Sequence, residues 1–191
     1  AAFMSTITPH AKRLAASPRG IHWPQLMHDD KEGWARMANA HPVNQMHVAT
    51  SGANISKDAP HQGATYAYPA LITNTDKDAG VVYSMVKGVV SQFDNYKGAA
   101  PGAAGWSIKN QNMTWALPYH KGAIQYWKEV GIWSDAAQAH NDKLNKRQNM
   151  LMAAWKALPG KDSMSKEDLK MKWMAARAMT LKKAGLPLVF N

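Results

Sequence analysis

The sequence predicts an α/β fold with a helix-rich C-terminal tail. Short apolar runs at residues 1–4 and 70–73 have the length of buried strands, and each is followed by turn residues and a helical pattern. Four valines and a phenylalanine recur at spacings of three and four over residues 82–93, which predicts a helix with a broad core-facing stripe. Ser134 and Ser165 each begin a longer helical pattern, and these two patterns make up the tail.

Composition limits the classes of protein that the chain can be. Its 191 residues are 46% hydrophobic, enough for one good core or two small ones, and no apolar run reaches the length of a transmembrane helix. The N-terminus lacks the pattern of a signal peptide, and residues 1–4 resemble the interior of a strand, so we expect further sequence upstream. The chain contains no cysteine, which excludes disulfides and thiolate chemistry.

The formal charge of +10 favours anionic partners such as acidic ligands, phosphates and anionic surfaces. The lysines and arginines are scattered at helical spacing, which is typical of solvated helix faces rather than a nucleic-acid patch, so we expect no nucleic-acid partner.

The first candidate ligand site is the polar turn that follows residues 1–4. Ser5, Thr6 and Thr8 precede Pro9, which suits the first turn of a helix. In an open α/β sheet such a turn lies at the carboxyl end of a strand, where hydroxyls and helix-terminal amides can hold an anion. Ordinary N-capping by Thr6 or Thr8 explains the same residues without a ligand.

The next stretch mixes one helix with irregular chain. We predict an edge strand at residues 21–26, a helix over residues 31–40, and loop or irregular strand over residues 43–65 that is long enough to cover a cleft. The spacing of nearby His and Asp side chains suits neither zinc nor calcium, so no metal site is predicted. These side chains are His22, His28, Asp29 and Asp30.

Two tyrosines precede the predicted strand at residues 70–73. Tyr66 and Tyr68 alternate along an extended segment and so point the same way, which would allow a hydroxyl to face a polar ligand. Core tyrosines with satisfied hydroxyls are the alternative. Residues 75–78 have the form of a capping box that begins the helix over residues 82–93.

Residues 113–133 form the most aromatic part of the chain. Pro118 allows a helix to begin only after it, and Gly131 supplies the left-handed residue that ends it. Tyr119 and His120 then lie at the helix N-terminus, beside free amides that could bind an anionic ligand. A capped helix start packed by aromatic residues is the alternative interpretation.

No catalytic constellation is recognisable, so we expect a protein that is not an enzyme and uses no cofactor. Glu129 is the only acid in the helix after Pro118, and we expect it to be solvated or paired with Lys121 or Lys128. Six methionines in the tail are expected to fill uneven packing between helices. They are Met150, Met152, Met164, Met171, Met174 and Met179.

The segment after Leu117 resembles the signature "P-x-H-x-G-A … Y-x-x-E-x-G-x-W" of TAXI-type TRAP transporter solute-binding proteins. The matching residues are Pro118, His120, Gly122, Ala123, Tyr126, Glu129, Gly131 and Trp133. The N-terminal segment is similar to the family's "V-D-A-x-F … P … E-L-A" through Ala1, Phe3, Pro9, Leu14 and Ala15. Ser5 and Thr6 replace the glycines that are usual in that turn.

The resemblance implies the C-terminal portion of a two-lobed periplasmic binding protein. Residues 1–65 would form part of one α/β lobe, residues 66–133 the crossover with a second-lobe segment, and residues 134–191 a helical extension. A small organic anion would be bound by the turn at Ser5, Thr6 and Thr8 and by Tyr66, Tyr68, Tyr119 and His120, then delivered to a TRAP membrane permease. A missing N-terminal part or a partner chain would complete the cleft. A non-catalytic interaction subunit is the alternative function.

Overall fold

The computed structural model describes residues 4–67, 70–100 and 102–189. Its regular elements follow in the order α1 (Pro9–Ala15), α2 (Lys31–Ala40), β1 (Gln45–Ala49), β2 (His61–Thr65), α3 (Ala79–Ser91), α4 (Phe93–Tyr96), α5 (Lys121–Glu129), α6 (Asp135–Lys156) and α7 (Lys166–Lys183). Short 3-10 turns occur at Ala103–Trp106, Ile108–Asn110 and Lys161–Ser163. This mixture of helices with a small sheet is compatible with the predicted α/β class.

The sheet lies in the segment that was predicted to be loop or irregular strand. Strands β1 and β2 pair antiparallel, with Gln45 opposite Thr65 and Ala49 opposite His61. Of the two alternatives predicted for residues 43–65, strand is formed at both ends of the segment and irregular chain lies between them. Pairing partners far apart in the chain decide whether such weakly patterned residues become strands.

Neither of the other predicted strands is formed in the described part of the chain. Residues 21–26 are irregular and make one backbone bond to β2, from the Leu26 amide to the Gln62 carbonyl at 2.9 Å. Residues 70–73 are exposed coil, and Ile72 is 79% exposed. No strand among the described residues pairs with this run, and unpaired extended chain is not stable alone. Residues 1–3 of the first predicted strand lie outside the described residues, and Met4 is coil.

Helix starts follow their capping residues closely. Helix α2 has the predicted bounds, and the Thr8, Ser134 and Ser165 side chains accept backbone amide hydrogen bonds at the starts of α1, α6 and α7. Helix α3 begins later than the predicted capping box, because Asp78 rather than Thr75 is its N-cap.

The main core lies between α3 and α5. Val82 from α3 packs with Ala123, Tyr126 and Trp127 from α5, and all four are at least nine-tenths buried. Half-buried apolar side chains from both helices and from the flanking loops surround this cluster. Helix α5 therefore buries one face, formed by Ala123, Tyr126 and Trp127, against α3.

Helices α6 and α7 pack against each other to form the tail. Gly160, with φ of 68°, lies in the turn between them, and Leu181 is completely buried. Met152, Met171 and Met179 are 48%, 64% and 71% exposed, so the expectation that the tail methionines fill the packing is wrong for these three. Within the described ranges, none of the helices combines the length and apolar character that a bilayer crossing requires.

Candidate functional site

A polar cavity of about 450 Å³ lies beside the turn that begins α1. Its positive charges come from Lys12 and Lys57, and its hydroxyls from Thr50, Ser51 and Ser56. The remaining lining residues are Ile7, Gly52, Ile55 and Gly102. No acidic side chain lines the cavity among the described residues, so the arrangement favours an anion that can accept hydrogen bonds.

The turn is held against the loop that follows β1. The Thr6 hydroxyl donates to the Ser51 carbonyl at 3.2 Å, and the Ala53 amide donates to the Thr6 carbonyl at 2.9 Å. A Cβ on Gly52 would lie 2.6 Å from the Thr6 Cβ, so only glycine permits this close approach. The two segments therefore meet at the rim of the cavity.

Ser5, Thr6 and Thr8 do not line the cavity, although Ile7 of the same turn does. The Thr8 hydroxyl donates to the Ser5 carbonyl at 3.0 Å and accepts from the Ala11 amide at 3.3 Å. Thr8 therefore caps α1, as the alternative interpretation of this turn predicted.

Sequence reasoning missed both lysines and the hydroxyls of the cavity. Lys12 lies one helical turn after Thr8, and Lys57 lies in the segment that was predicted to cover a cleft. These two positions in the sequence were the only available signal. The hairpin of β1 and β2, which brings the two lysines to one cavity, was not predicted.

A second group of predicted residues lies at the start of α5. The Tyr119 amide donates to the Asn141 Oδ1 at 2.7 Å, and its hydroxyl donates to the Asn112 carbonyl at 2.8 Å. The Tyr119 ring packs edge-on against Trp133, with centroids 5.5 Å apart, and its burial raises the pKa of the phenol. Tyr119 is therefore bound into the surrounding protein through both its amide and its side chain.

His120 caps α5 and leaves one ring nitrogen unused. Its Nδ1 accepts from the Gly122 amide at 3.1 Å. Its Nε2 is buried, and it has no hydrogen-bond partner among the described residues. Because Nδ1 accepts, a neutral ring carries its proton on Nε2, which is then a buried donor without an acceptor.

The predicted residues thus fall into separate groups. Tyr66 follows β2 and is 37% exposed, while Tyr68 lies outside the described residues. Tyr66, Tyr119 and His120 do not line the polar cavity. The structure therefore brings the N-terminal turn to a cavity but does not bring these tyrosines and the histidine to the same one.

Glu129 has a different partner from those predicted. Its carboxylate accepts from the Tyr83 hydroxyl and from Lys87 Nζ, at 2.5 Å and 3.1 Å. The bond from Tyr83 and then that from Lys87 lower the pKa of Glu129, and the hydrogen bonds to Tyr83 and then to Glu129 raise the pKa of Lys87. Expected pairing with Lys121 or Lys128 is therefore replaced by a surface cluster that joins α5 to α3.

The family of the chain follows from its match to a known family model. The model of the NMT1-like family matches residues 11–131, which include most of α1, the β1–β2 hairpin, the α3–α5 core and most of the signature after Leu117. The chain belongs to the NMT1-like family. This is a periplasmic binding-protein-like family, and membership points to an extracytoplasmic solute-binding function. Comparisons with curated proteins and with solved structures gave no match.

Proposed function

We propose that this NMT1-like chain is the C-terminal portion of a TAXI-type periplasmic solute-binding protein. It captures a small organic anion, a carboxylate or an amino acid, and delivers it to a TRAP-type membrane permease without chemical change. The observation that carries the proposal is the polar cavity, which has two lysines and three hydroxyls and no described acidic lining residue. Family membership supports a solute as the occupant.

The chemistry of the cavity suits a carboxylate. Hydrogen bonds from ammonium groups to carboxylates are about twice as strong as neutral ones. The volume of about 450 Å³ lies in the range of about 300–1,000 Å³ that small-molecule sites occupy. Hydroxyls of Thr50, Ser51 and Ser56 can orient the solute by donating to its oxygens or accepting from an amino group.

A second half of the binding protein completes the proposed cleft. Two-lobed binding proteins close around their solute, so ligand contacts that are apart in one lobe can be completed by the other. Val81 and Met85 on α3 are 52% and 53% exposed, which supports coverage by an N-terminal part or a partner chain. The buried His120 Nε2 supports a role for His120 as a donor to the solute or to that second half.

Calorimetric titration with small carboxylates and amino acids tests this proposal. We expect one of these solutes to release heat and raise the melting temperature of the chain. Lys12→Gln and Lys57→Gln should each weaken binding roughly tenfold, because each loses a charge-assisted hydrogen bond. Lys77→Gln is the matched control, since Lys77 is exposed and does not line the cavity. Unchanged affinity in both cavity variants, or no response to any acid, contradicts the proposal.

A non-catalytic interaction subunit is the second candidate function. It is favoured by an exposed apolar groove between residues 116–118 and helices α6 and α7. Tight co-purification with another polypeptide, together with silence towards every carboxylate, would support this function over solute capture.

A further inference from the structure

A groove of about 420 Å³ runs along the tail beside residues 116–118. We call it the tail groove. Its apolar lining comes from Ala116, Leu117, Pro118, Leu144, Leu151, Met152, Trp155 and Trp173, and its polar lining from Arg147, Gln148 and Lys156. Leu117, Met152 and Trp155 are 48%, 48% and 38% exposed, so the groove presents apolar surface to solvent.

The α6 side chains that line the groove are spaced like those on the face of a helix that packs against a second helix. The apolar residues Leu144, Leu151 and Trp155 lie at positions i, i+7 and i+11, with the polar Gln148 at i+4, and together they extend over about 16 Å of helix. Apolar residues that repeat in this way accept the side chains of a neighbouring helix. Trp155 packs edge-on against Trp173 of α7 with centroids 5.1 Å apart, which fixes one wall of the groove.

The charge of the groove selects an acidic occupant. Arg147 and Lys156 contribute the charged lining, and the described lining contains no Asp or Glu. Residues 134–191 carry eleven Lys and Arg against five Asp and Glu. Two such tails would repel each other, so a second copy of this chain does not fit the charge pattern. The Arg147 guanidinium donates to the Pro187 carbonyl at 2.7 Å, which holds it beside the groove.

The tail groove is separate from the proposed solute site. The family match ends at residue 131, before α6 and α7, and the groove shares no lining residue with the polar cavity. We propose that the tail groove binds an amphipathic helix of a partner protein, with an apolar face at heptad spacing and acidic residues flanking that face.

A designed peptide tests the proposal directly. The probe is a fluorescein-labelled helix of about three heptads with leucine at a and d and glutamate at e and g, the positions that flank the apolar seam. The matched peptide has lysine at e and g. We expect fluorescence anisotropy to report saturable binding of the acidic peptide, at least about tenfold tighter than the basic one, and weaker binding at high salt because exposed charges are screened.

Two variants locate the binding surface. Met152→Glu places a carboxylate in the tail groove and should weaken binding of the acidic peptide at least about tenfold. Met179→Glu makes the same change at a 71% exposed position of α7 outside the groove and should leave binding unchanged. Circular dichroism of both variants checks that α6 and α7 remain folded.

The proposal is overturned if the acidic and basic peptides bind equally, if neither binds, or if Met152→Glu binds like the unmodified chain. Absence of peptide binding combined with a blue shift of tryptophan emission on adding decanoate would instead assign the groove to a small amphiphilic acid. Lys12→Gln should retain peptide binding, so failure of the solute proposal and failure of this one are distinguishable.

Discussion

The carbonyl oxygen of Ala79 lies where a side chain on Gly122 would be. A Cβ built on Gly122 comes within 2.2 Å of that oxygen and 3.0 Å of the Tyr83 amide nitrogen. The first turn of α5 therefore touches the first turn of α3 directly, and this contact sets the separation of the two helices that form the core. The glycine in the sequence signature thus has a packing role that needs no ligand.

Gly122→Ala should lower the free energy of unfolding by about 1–3 kcal/mol, because the added methyl group forces α5 away from α3. Urea denaturation measures the change. Gly88→Ala is the matched control within α3, since nothing lies within 4 Å of its Cβ position. Alanine is the better helix former by about 1 kcal/mol, so this variant should be neutral or more stable. Equal effects of the two substitutions would contradict the close contact.

Asn141→Ala should destabilise the chain by about 1–3 kcal/mol, because the Tyr119 amide loses its acceptor in a partly buried position. Asn141 is 4% exposed, so water replaces the lost bond poorly. Chemical denaturation again provides the measurement. Asn149→Ala on the exposed part of the same helix should change stability little. Because alanine is the better helix former, a loss as large in Asn149→Ala would show that the Tyr119 bond is not its source.

The Glu129 cluster should make a small, pH-dependent contribution to stability. The pKa of Glu129 is lowered in the folded chain, so its contribution is present above the unfolded value near 4.5 and is lost as the pH falls through the folded value. The pKa of Lys87 is raised, so its contribution is present below its unfolded value of 10.5 and is lost as the pH rises through the folded value.

Glu129→Gln should therefore lower the melting temperature at pH 7, with a difference that shrinks at low pH and at high salt. Both side chains of the ion pair are nearly half exposed, so we expect a small shift. Glu32→Gln is the control, because its contact with Arg36 is long at 3.9 Å and highly exposed. A melting-temperature difference that is constant from pH 3 to pH 7 would exclude the charged form of Glu129 as its source.

His120→Ala should cost about 0.5–2 kcal/mol, because α5 loses its N-cap acceptor. His120→Asn supplies a new cap acceptor and removes the buried Nε2, so its stability should be close to that of the unmodified chain. Urea unfolding of both variants separates these effects. Calorimetry then measures how tightly each variant binds the solute that the titration identified. If His120 contacts the solute through Nε2, His120→Asn should fold normally but bind weakly.

Local rules predicted the helices well because the decisive contacts are close in sequence. The Ser134 hydroxyl accepts from the Ala137 amide, three residues further along the chain. Gly131 adopts a left-handed φ of 74° just past the end of α5, as the sequence predicted for the residue that ends this helix. Asp78 rather than Thr75 begins α3, because an acceptor placed directly before the helix reaches its orphan amides without a capping box.

The sheet and the polar cavity could not be predicted in the same way. Strand β2 contains Gln62 and Gly63 rather than an alternating apolar pattern, and its pairing with β1 depends on contacts across the intervening loop. Residues 70–73 have the stronger strand pattern but have no partner strand in the described structure. Lys12 and Lys57 come together only through that unpredicted hairpin, so no spacing rule could have joined them.

Trp115 forms hydrogen bonds to two distant parts of the chain, Val43 just before the hairpin and His140 in α6. Its indole Nε1 donates to the Val43 carbonyl beside the hairpin at 3.1 Å, and its own carbonyl accepts from His140 Nε2 of α6 at 2.6 Å. Oxidation of this indole would disturb the bond to Val43 but leave the backbone bond to His140, so protease cleavage would increase beside the hairpin before it increases in the tail.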